Sequence, residues 1–229
     1  MVHLRAAAFR PSIRSVVSAA IRVVSAAIPL ERAVGCVVYC STVLEAPGVV
    51  RHIEGTRLAA GEPRGSVTPR CESFNTAMRA AGLKAPVTKD TRGQVWLKLM
   101  GNAVFNPLSA LAGATMSEIC AFPPACATAA RVIAETRDVA AALGHRPRVS
   151  VEQRLDGAAR VGGHETSMLQ DLKAGKTLEL APLVGAVIEL ADLVGLDVPS
   201  LRTLCAATAL LEVTDRRDRA RDVALARRS

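Results

Sequence analysis

The spacing of apolar residues changes near residue 90, and this change predicts two kinds of structure. Residues 34–43, VGCVVYCSTV, form a short apolar, β-branched run that predicts a buried strand. Gly and Pro recur through residues 46–66 at intervals that suit a hairpin or two short strands. Residues 71–82 have helical spacing, with Gly82 placed to end the helix, and residues 84–90 resemble a last strand and a linker.

From residue 91 onward the pattern is helical and includes no convincing strand. The predicted helices are 91–112, 115–121, 124–143, 149–160, 167–174, 179–194 and 199–214. Gly144 and Gly195 stand where glycines commonly end helices, and Pro199 stands where a new helix begins. Residues 215–229 alternate in charge, which predicts a solvated helix that frays at its end. The pattern therefore predicts a mainly α chain.

The first long helix holds an informative row of polar residues. Lys98, Asn102 and Asn106 follow one another at four-residue steps in an otherwise apolar stretch, WLKLMGNAVFNP. Four residues turn an α-helix through about 400°, so the three side chains share one face. Polar groups in such surroundings are costly to bury without partners, which indicates a small polar ligand. Pro107 has no N–H to donate one turn back, so we expect a kink there.

Each of these residues also has a purely structural interpretation. Lys98 could be a surface lysine whose aliphatic stem passes Trp96, and Asn106 could shape a helix end before Pro107.

A second polar cluster occupies residues 164–180, HETSMLQDLKAGKTLEL. Ser167 with Gln170 three residues later fits a helix capping box, which is the structural interpretation of both residues. Gly175 is placed to end that short helix. Glu179 then falls in the first turn of the next helix, where the helix dipole favours a carboxylate.

Charge and hydropathy exclude two classes of function. Residues 1–30 hold +4 of the net charge of +8 and residues 215–229 hold +3, which leaves +1 for everything between. The middle of the chain thus has no electrostatic footprint for nucleic acid. No stretch reaches the roughly 18–20 apolar residues that span a bilayer, so we expect no membrane insertion. Hydrophobic residues make up 50% of the chain but aromatics only 3%, which favours packed helices.

The six cysteines suggest a reducing environment. They form no CxxC pair and no His/Cys metal-ligand spacing. Their apolar surroundings predict reduced, buried thiols in a cytoplasmic protein, and we expect no metal site.

Several separated motifs occur in order between residues 29 and 212. They are VGCVVY at 34–39, PGVVRHIEG at 47–55, GEP at 61–63, W-x-K-L-x-x-N-x-x-x-N-P at 96–107, TSMLQD at 166–171, Gly175-Lys176 with Glu179, E-L-x-x-x-x-G at 189–195 and VPS at 198–200. Together they resemble the ketopantoate reductase family (2-dehydropantoate 2-reductase). The resemblance implies a Rossmann domain that binds NADPH, and an all-helical domain like the C-terminal domain of phosphogluconate dehydrogenases. The implied reaction is the reduction of ketopantoate, or of a similar small 2-keto acid, in the cleft between them.

The resemblance also assigns roles to individual residues. Lys98 is the implied general acid, Asn102 and Asn106 hold substrate oxygens, Ser167 contacts the substrate, Glu179 lies near the cofactor ribose and nicotinamide, and Ser41 lines the cofactor pocket in a loop. Reduction of a 2-keto acid builds negative charge on the carbonyl oxygen, which an ammonium group stabilises and neutralises. Partial burial is expected to lower the pKa of Lys98 from its usual value of about 10.4.

The chain departs from this family at its beginning. It contains no GxGxxG, the phosphate-binding motif of a Rossmann domain, so we expect an N-terminally truncated member. The expected division is a basic extension without a match at 1–28, the last part of the Rossmann domain at 29–90, a helical substrate domain at 91–214 and a charged tail at 215–229. The alternative function is a catalytically incomplete helical fragment that only dimerises or binds a small acid. The helical domain could fold alone or as a homodimer.

Overall fold

The strands come first along the chain and form two small antiparallel sheets. The computed structural model describes residues 29–226, so the predicted basic extension lies outside the described residues. After a 3-10 turn at Leu30–Arg32, the strands are β1 (Gly35–Val38), β2 (Ser41–Ala46), β3 (Val49–Glu54) and β4 (Leu58–Gly61). Strand β1 pairs with β4, and β2 pairs with β3 in the predicted hairpin.

The predicted strand over 34–43 is interrupted at Tyr39 and Cys40. Gly55 has a φ of +74°, and its backbone passes so close to Tyr39 that an added Cβ would lie 2.1 Å from the Tyr39 carbonyl oxygen. The Tyr39 N–H donates to the Arg57 carbonyl at 2.8 Å. Contacts with the returning chain therefore break the run into two strands. The strand expected within 84–90 was wrong, because Lys84 and Val87 form only isolated bridges.

Eight α-helices follow within the described residues. They are α1 (Pro69–Ala80), α2 (Thr91–Ala112), α3 (Met116–Ala121), α4 (Pro123–Ala142), α5 (Val151–Ala159), α6 (Ser167–Lys173), α7 (Ala186–Val194) and α8 (Pro199–Ala226), with a π-helical turn at Ala181–Gly185 before α7. This confirms the mainly α class and the seven helices predicted after residue 90. Helix α8 runs on without a break from Pro199 to Ala226, the last residue that the structure describes. None of the helices within 29–226 is long and apolar enough to cross a bilayer.

Helix α2 is the centre of the helical core. It packs against α4, α6 and α8. Trp96, Met100 and Val104 are fully buried and stand at four-residue steps. This apolar row is offset by two residues, about 200°, from the row that begins at Lys98, so the two rows lie on opposite faces of the helix. Burying each large apolar side chain contributes about 1.5–3 kcal/mol, which anchors α2 by its apolar face.

Capping contacts define the ends of the long helices. The Asp90 carboxylate accepts from the Gly93 N–H at 2.8 Å at the start of α2, which ends at Gly113 with a φ of 65°. Glu135 on α4 accepts from the N–H groups of Ser200 and Leu201 at 3.0 and 2.8 Å. This carboxylate satisfies two of the free donors at the beginning of α8 and ties α8 to α4.

The expected capping box at the start of α6 was wrong by one residue. The cap is Thr166, whose hydroxyl accepts from the Leu169 N–H at 3.3 Å and is hydrogen-bonded to the buried Ser109 hydroxyl of α2. Ser167 is the first helical residue and is exposed, while Gln170 donates to the Glu165 carbonyl at 2.9 Å. The buried bond to Ser109 selects Thr166 over its neighbour as the cap.

The cysteine prediction was only partly right. All six thiols are free, but Cys71 alone is buried; Cys36 is exposed and the other four are partly exposed.

Glu62 holds together the end of β4, α1 and α2. Its side chain is 7% exposed and is paired with Arg70, while Thr68 donates a further hydrogen bond to it. The Glu62 backbone carbonyl accepts from the Thr91 hydroxyl at 3.1 Å. The bonds from Arg70 and then Thr68 lower the pKa of Glu62 to about 2.

Replacing Thr166 by Ala is expected to destabilise the chain by about 1–3 kcal/mol, because it removes both the helix cap and a buried hydrogen bond. Ser167→Ala is the matched control and should change stability by less than about 0.5 kcal/mol, since its side chain is exposed. Urea denaturation of the three proteins measures the difference. An equal loss of unfolding free energy in the two variants would contradict the assignment of Thr166 as the cap.

Glu62→Gln is expected to destabilise the chain at neutral pH and to have no effect in strong acid. The folded-state pKa is about 2, below the ordinary value of 4.5, so the charged form stabilises the fold above pH 4.5. That contribution disappears as the pH falls from about 4.5 through about 2, where wild type and variant converge. Urea midpoints measured against pH test this, with the exposed Glu72→Gln as control. A difference that does not depend on pH would contradict it.

Candidate active site

The polar row predicted from the sequence lies on one helix and runs from the surface inward. Lys98, Asn102 and Asn106 all belong to α2, and the helix continues through Pro107. Lys98 and Asn102 are partly exposed, whereas Asn106 is 5% exposed. Neither carboxamide side chain is hydrogen-bonded to another residue of the described chain. The row therefore offers polar groups that are still free to bind a ligand.

Lys98 lies where the helices meet the strands. Its Nζ donates to the Val38 carbonyl oxygen at 2.6 Å, at the end of β1, and lies 5.9 Å from the centre of the Tyr39 ring. An ammonium group has three donors, so this bond leaves others for a substrate. The carbonyl fixes the position of the ammonium group without neutralising it.

Burial lowers the pKa of Lys98, and the negative charge of Glu179 opposes that shift. Lys98 and Glu179 are far apart in sequence but interact electrostatically in the fold. Glu179 is exposed and lies two residues before the helical turn that leads into α7, so its predicted place in the first turn of that helix was wrong. The structure thus places the predicted acid and the predicted cofactor residue within electrostatic range of each other.

The link between Asn106 and Ser167 is indirect. The Ser109 hydroxyl donates to the Asn106 carbonyl at 2.9 Å and is also bonded to Thr166, the residue before Ser167. Ser167 follows at the beginning of α6 with its side chain exposed. Two buried hydroxyls therefore position Ser167 relative to the polar row.

Ser41 lies in a strand, and the loop expected for it was wrong. It is the first residue of β2, is partly exposed and pairs in register with Glu54. The interruption at Tyr39 and Cys40 places it past the residues that contact Lys98. Within residues 29–226 its side chain is hydrogen-bonded to none of the residues of the polar row.

The sequence interpretation missed a cluster around Tyr39. Gln94 lies four residues before Lys98 and so extends the polar row by one step. Its Oε1 accepts from the Arg57 guanidinium at 3.1 Å and from the Tyr39 hydroxyl at 3.5 Å. Arg57 also lies 4.9 Å from the centre of the Tyr39 ring. The four-residue spacing was a signal for Gln94, whereas nothing in the pattern indicated its partners.

The arrangement suits an anionic, oxygen-rich ligand. It combines the partly desolvated ammonium group of Lys98, two free carboxamides and the hydroxyl group of Ser167. All of these groups can donate hydrogen bonds to carbonyl, hydroxyl and carboxylate oxygens. Among the described residues, no three His, Cys, Asp or Glu side chains are grouped so that they could hold a metal ion.

Comparison with known proteins places this geometry in a family. Residues 90–212 match the family model described as ketopantoate reductase PanE/ApbA C terminal. The chain is 42% identical over 183 residues to a 2-dehydropantoate 2-reductase of Mesorhizobium japonicum, an alignment that covers 80% of this chain and 56% of that protein. It is 36% identical over 159 residues to a 2-dehydropantoate 2-reductase of Halobacterium salinarum. That alignment covers 69% of this chain and 52% of that protein.

A solved structure agrees with these matches. The 2-dehydropantoate 2-reductase of Methylococcus capsulatus superimposes with a TM-score of 0.78 and 29% identity, over 84% of this chain and 66% of that one. The chain spans about half the length of the curated relatives it matches. The family model nevertheless covers more than half of the chain, including all of α2 and both polar clusters. This chain belongs to the ketopantoate reductase family, and its residues 90–212 match the C-terminal part of the proteins of that family.

Proposed function

We propose that this chain supplies the proton donor and the substrate contacts of an NADPH-dependent 2-dehydropantoate 2-reductase. The reaction reduces ketopantoate, or a similar small 2-keto acid, to the 2-hydroxy acid, as a step of pantothenate and coenzyme A biosynthesis. The observation that carries the proposal is the position of Lys98. Its ammonium group is partly desolvated, is held by the Val38 carbonyl, and begins a row of free carboxamides.

In the proposed reaction Lys98 gives a proton to the ketone oxygen of the substrate. Negative charge develops on that oxygen as C2 is reduced, and the ammonium group stabilises the charge before it transfers the proton. Asn102 and Asn106 donate to substrate oxygens and accept from a substrate hydroxyl without adding charge. Ser167, at the start of α6, contacts the substrate carboxylate or hydroxyl.

The residues present fit the nicotinamide end of NADPH. Glu179 is exposed, acts electrostatically on Lys98 and can accept hydrogen bonds from ribose hydroxyls or a carboxamide. We assign Glu179 and, from β2, Ser41 to that end of the cofactor. When bound, NADPH supplies the hydride that adds to C2. Lys98 is then the proton source on the same carbonyl group.

The division at residue 90 stays a prediction. We propose that residues 29–90 are the end of a cofactor domain and residues 91–214 the substrate domain. A homodimer through the helical domain is also proposed, and the exposed side chains of Leu210 and Val213 on α8 support it.

Lys98→Met is expected to lower the rate of ketopantoate reduction by about 100- to 10,000-fold, because it removes the general acid while keeping the aliphatic stem. The measurement is the loss of NADPH absorbance with ketopantoate as substrate. Lys89→Met, at an exposed lysine just before α2, is the control and should retain the wild-type rate. Equal rates in wild type and Lys98→Met would contradict the proposal. A folded wild type without turnover would favour the incomplete, acid-binding fragment.

The rate is also expected to fall as the pH rises, because Lys98 must be protonated to act as an acid. Burial lowers its pKa, so the decline should be centred below the ordinary value of 10.5. Glu179→Gln removes a negative charge that raises this pKa, so the decline should move to lower pH in that variant. Profiles of kcat/KM against pH measure both effects. If the decline of kcat/KM stays in place or moves to higher pH in Glu179→Gln, the result would argue against an electrostatic effect of Glu179 on Lys98.

A further inference from the structure

Arg154 of α5 lies against the polar row of α2, beside Gly101. A Cβ added at Gly101 would lie 1.7 Å from Nη2 of Arg154 and 2.5 Å from its Cζ, so the guanidinium group occupies the space that any side chain at position 101 would need. Gly101 stands directly before Asn102 and three residues after Lys98. Residues three apart on a helix are neighbours on its surface, about 5–6 Å apart at Cβ. The guanidinium group therefore lies next to the residues assigned to the substrate.

Arg154 is a partly buried cation without an anion in the described part of the chain. Its Nε is inaccessible to solvent and has no hydrogen-bond partner there, and none of the ion pairs within residues 29–226 includes it. Burial lowers the pKa of Arg154, and among residues 29–226 this shift is opposed by the side chains of Tyr39 and Cys120. A phenol and a thiol are uncharged near neutral pH, and burial raises the pKa of both. A desolvated guanidinium in such surroundings is costly unless an anion binds it.

Tyr39 connects Arg154 to the proposed acid. The Lys98 ammonium lies 5.9 Å from the Tyr39 ring, and Arg154 acts electrostatically on the same side chain. An anion bound to Arg154 would thus lie close to Lys98. The planar guanidinium fork matches a carboxylate, which it can bind with two parallel hydrogen bonds.

We propose that Arg154, packed against Gly101, binds the carboxylate of the 2-keto acid and so selects an acid over a neutral ketone. The inference rests on the proposed function and adds to it a residue that determines specificity. Lys98 acts on the ketone oxygen, and Arg154 holds the neighbouring carboxylate in place.

The test compares the binding of ketopantoate with that of its uncharged amide by calorimetry. Wild type is expected to prefer the acid. Arg154→Met should weaken acid binding by about 10- to 100-fold and leave amide binding within about threefold, because a charged hydrogen-bonded contact is lost only for the acid. Arg154→Lys keeps the charge without the fork and should retain part of the preference.

A second variant tests the contact between Gly101 and the Arg154 guanidinium group without replacing the arginine. Gly101→Ala places a methyl group where Nη2 lies and should also reduce the preference for the acid, since the guanidinium must move. Gly157→Ala on α5 is the matched control, because its added Cβ would lie an ordinary 4.0 Å from Nη1 of Arg154. It should keep the wild-type preference.

The outcomes separate the two hypotheses. Equal weakening of acid and amide by Arg154→Met would mean that Arg154 only supports the fold, and would overturn this inference alone. The same holds if wild type binds both compounds without preference. If folded wild type binds neither, the proposed function fails and the inference falls with it.

Discussion

The division of α2 into two faces is the constraint on which the rest of the structure depends. One face carries Trp96, Met100 and Val104 into the core, and this fixes the rotation of the helix about its axis. The opposite face then has to hold Lys98 and its polar neighbours wherever that rotation places them. Because the apolar face is packed on three helices, the position of the polar row is fixed, with Lys98 and Asn102 partly exposed and Asn106 buried. The buried part of the row needs partners from other segments or from a ligand.

The partners that the chain itself supplies are unevenly distributed along this row. Gln94 is satisfied by Arg57 and Tyr39, and Lys98 by the Val38 carbonyl. Towards the interior, the side chains of Asn102 and Asn106 have no such partner among the described residues. Buried amides are normally hydrogen-bonded, so this inner half of the row is where a ligand gains most. The outer half fixes α2 against the strands and thereby sets the position of the ammonium group.

The sequence was most informative where local periodicity decides the structure. Helix α2 was predicted with its bounds, since its caps Asp90 and Gly113 are local signals. The interruption at Tyr39 was not predictable, because it depends on the close approach of Gly55. At α6, adjacent Thr and Ser residues are equally good caps, and only the distant Ser109 decides between them. Arg154 was missed for a related reason. Its guanidinium group packs against Gly101, and a glycine contributes no side chain to the sequence pattern.

The balance of charge explains why the inner row consists of amides. Lys98 lies near the Tyr39 ring, and Arg154 interacts electrostatically with the same side chain. Glu179 is an acidic side chain that interacts electrostatically with Lys98. A further arginine in place of Asn102 or Asn106 would add repulsion between desolvated cations, and a carboxylate there would repel an acid substrate. Carboxamides provide donors and acceptors while leaving the charge unchanged. Under the proposed function, a monoanionic keto acid would supply the negative charge that this part of the site lacks, and the substrate itself would be the missing partner of the two partly buried cations.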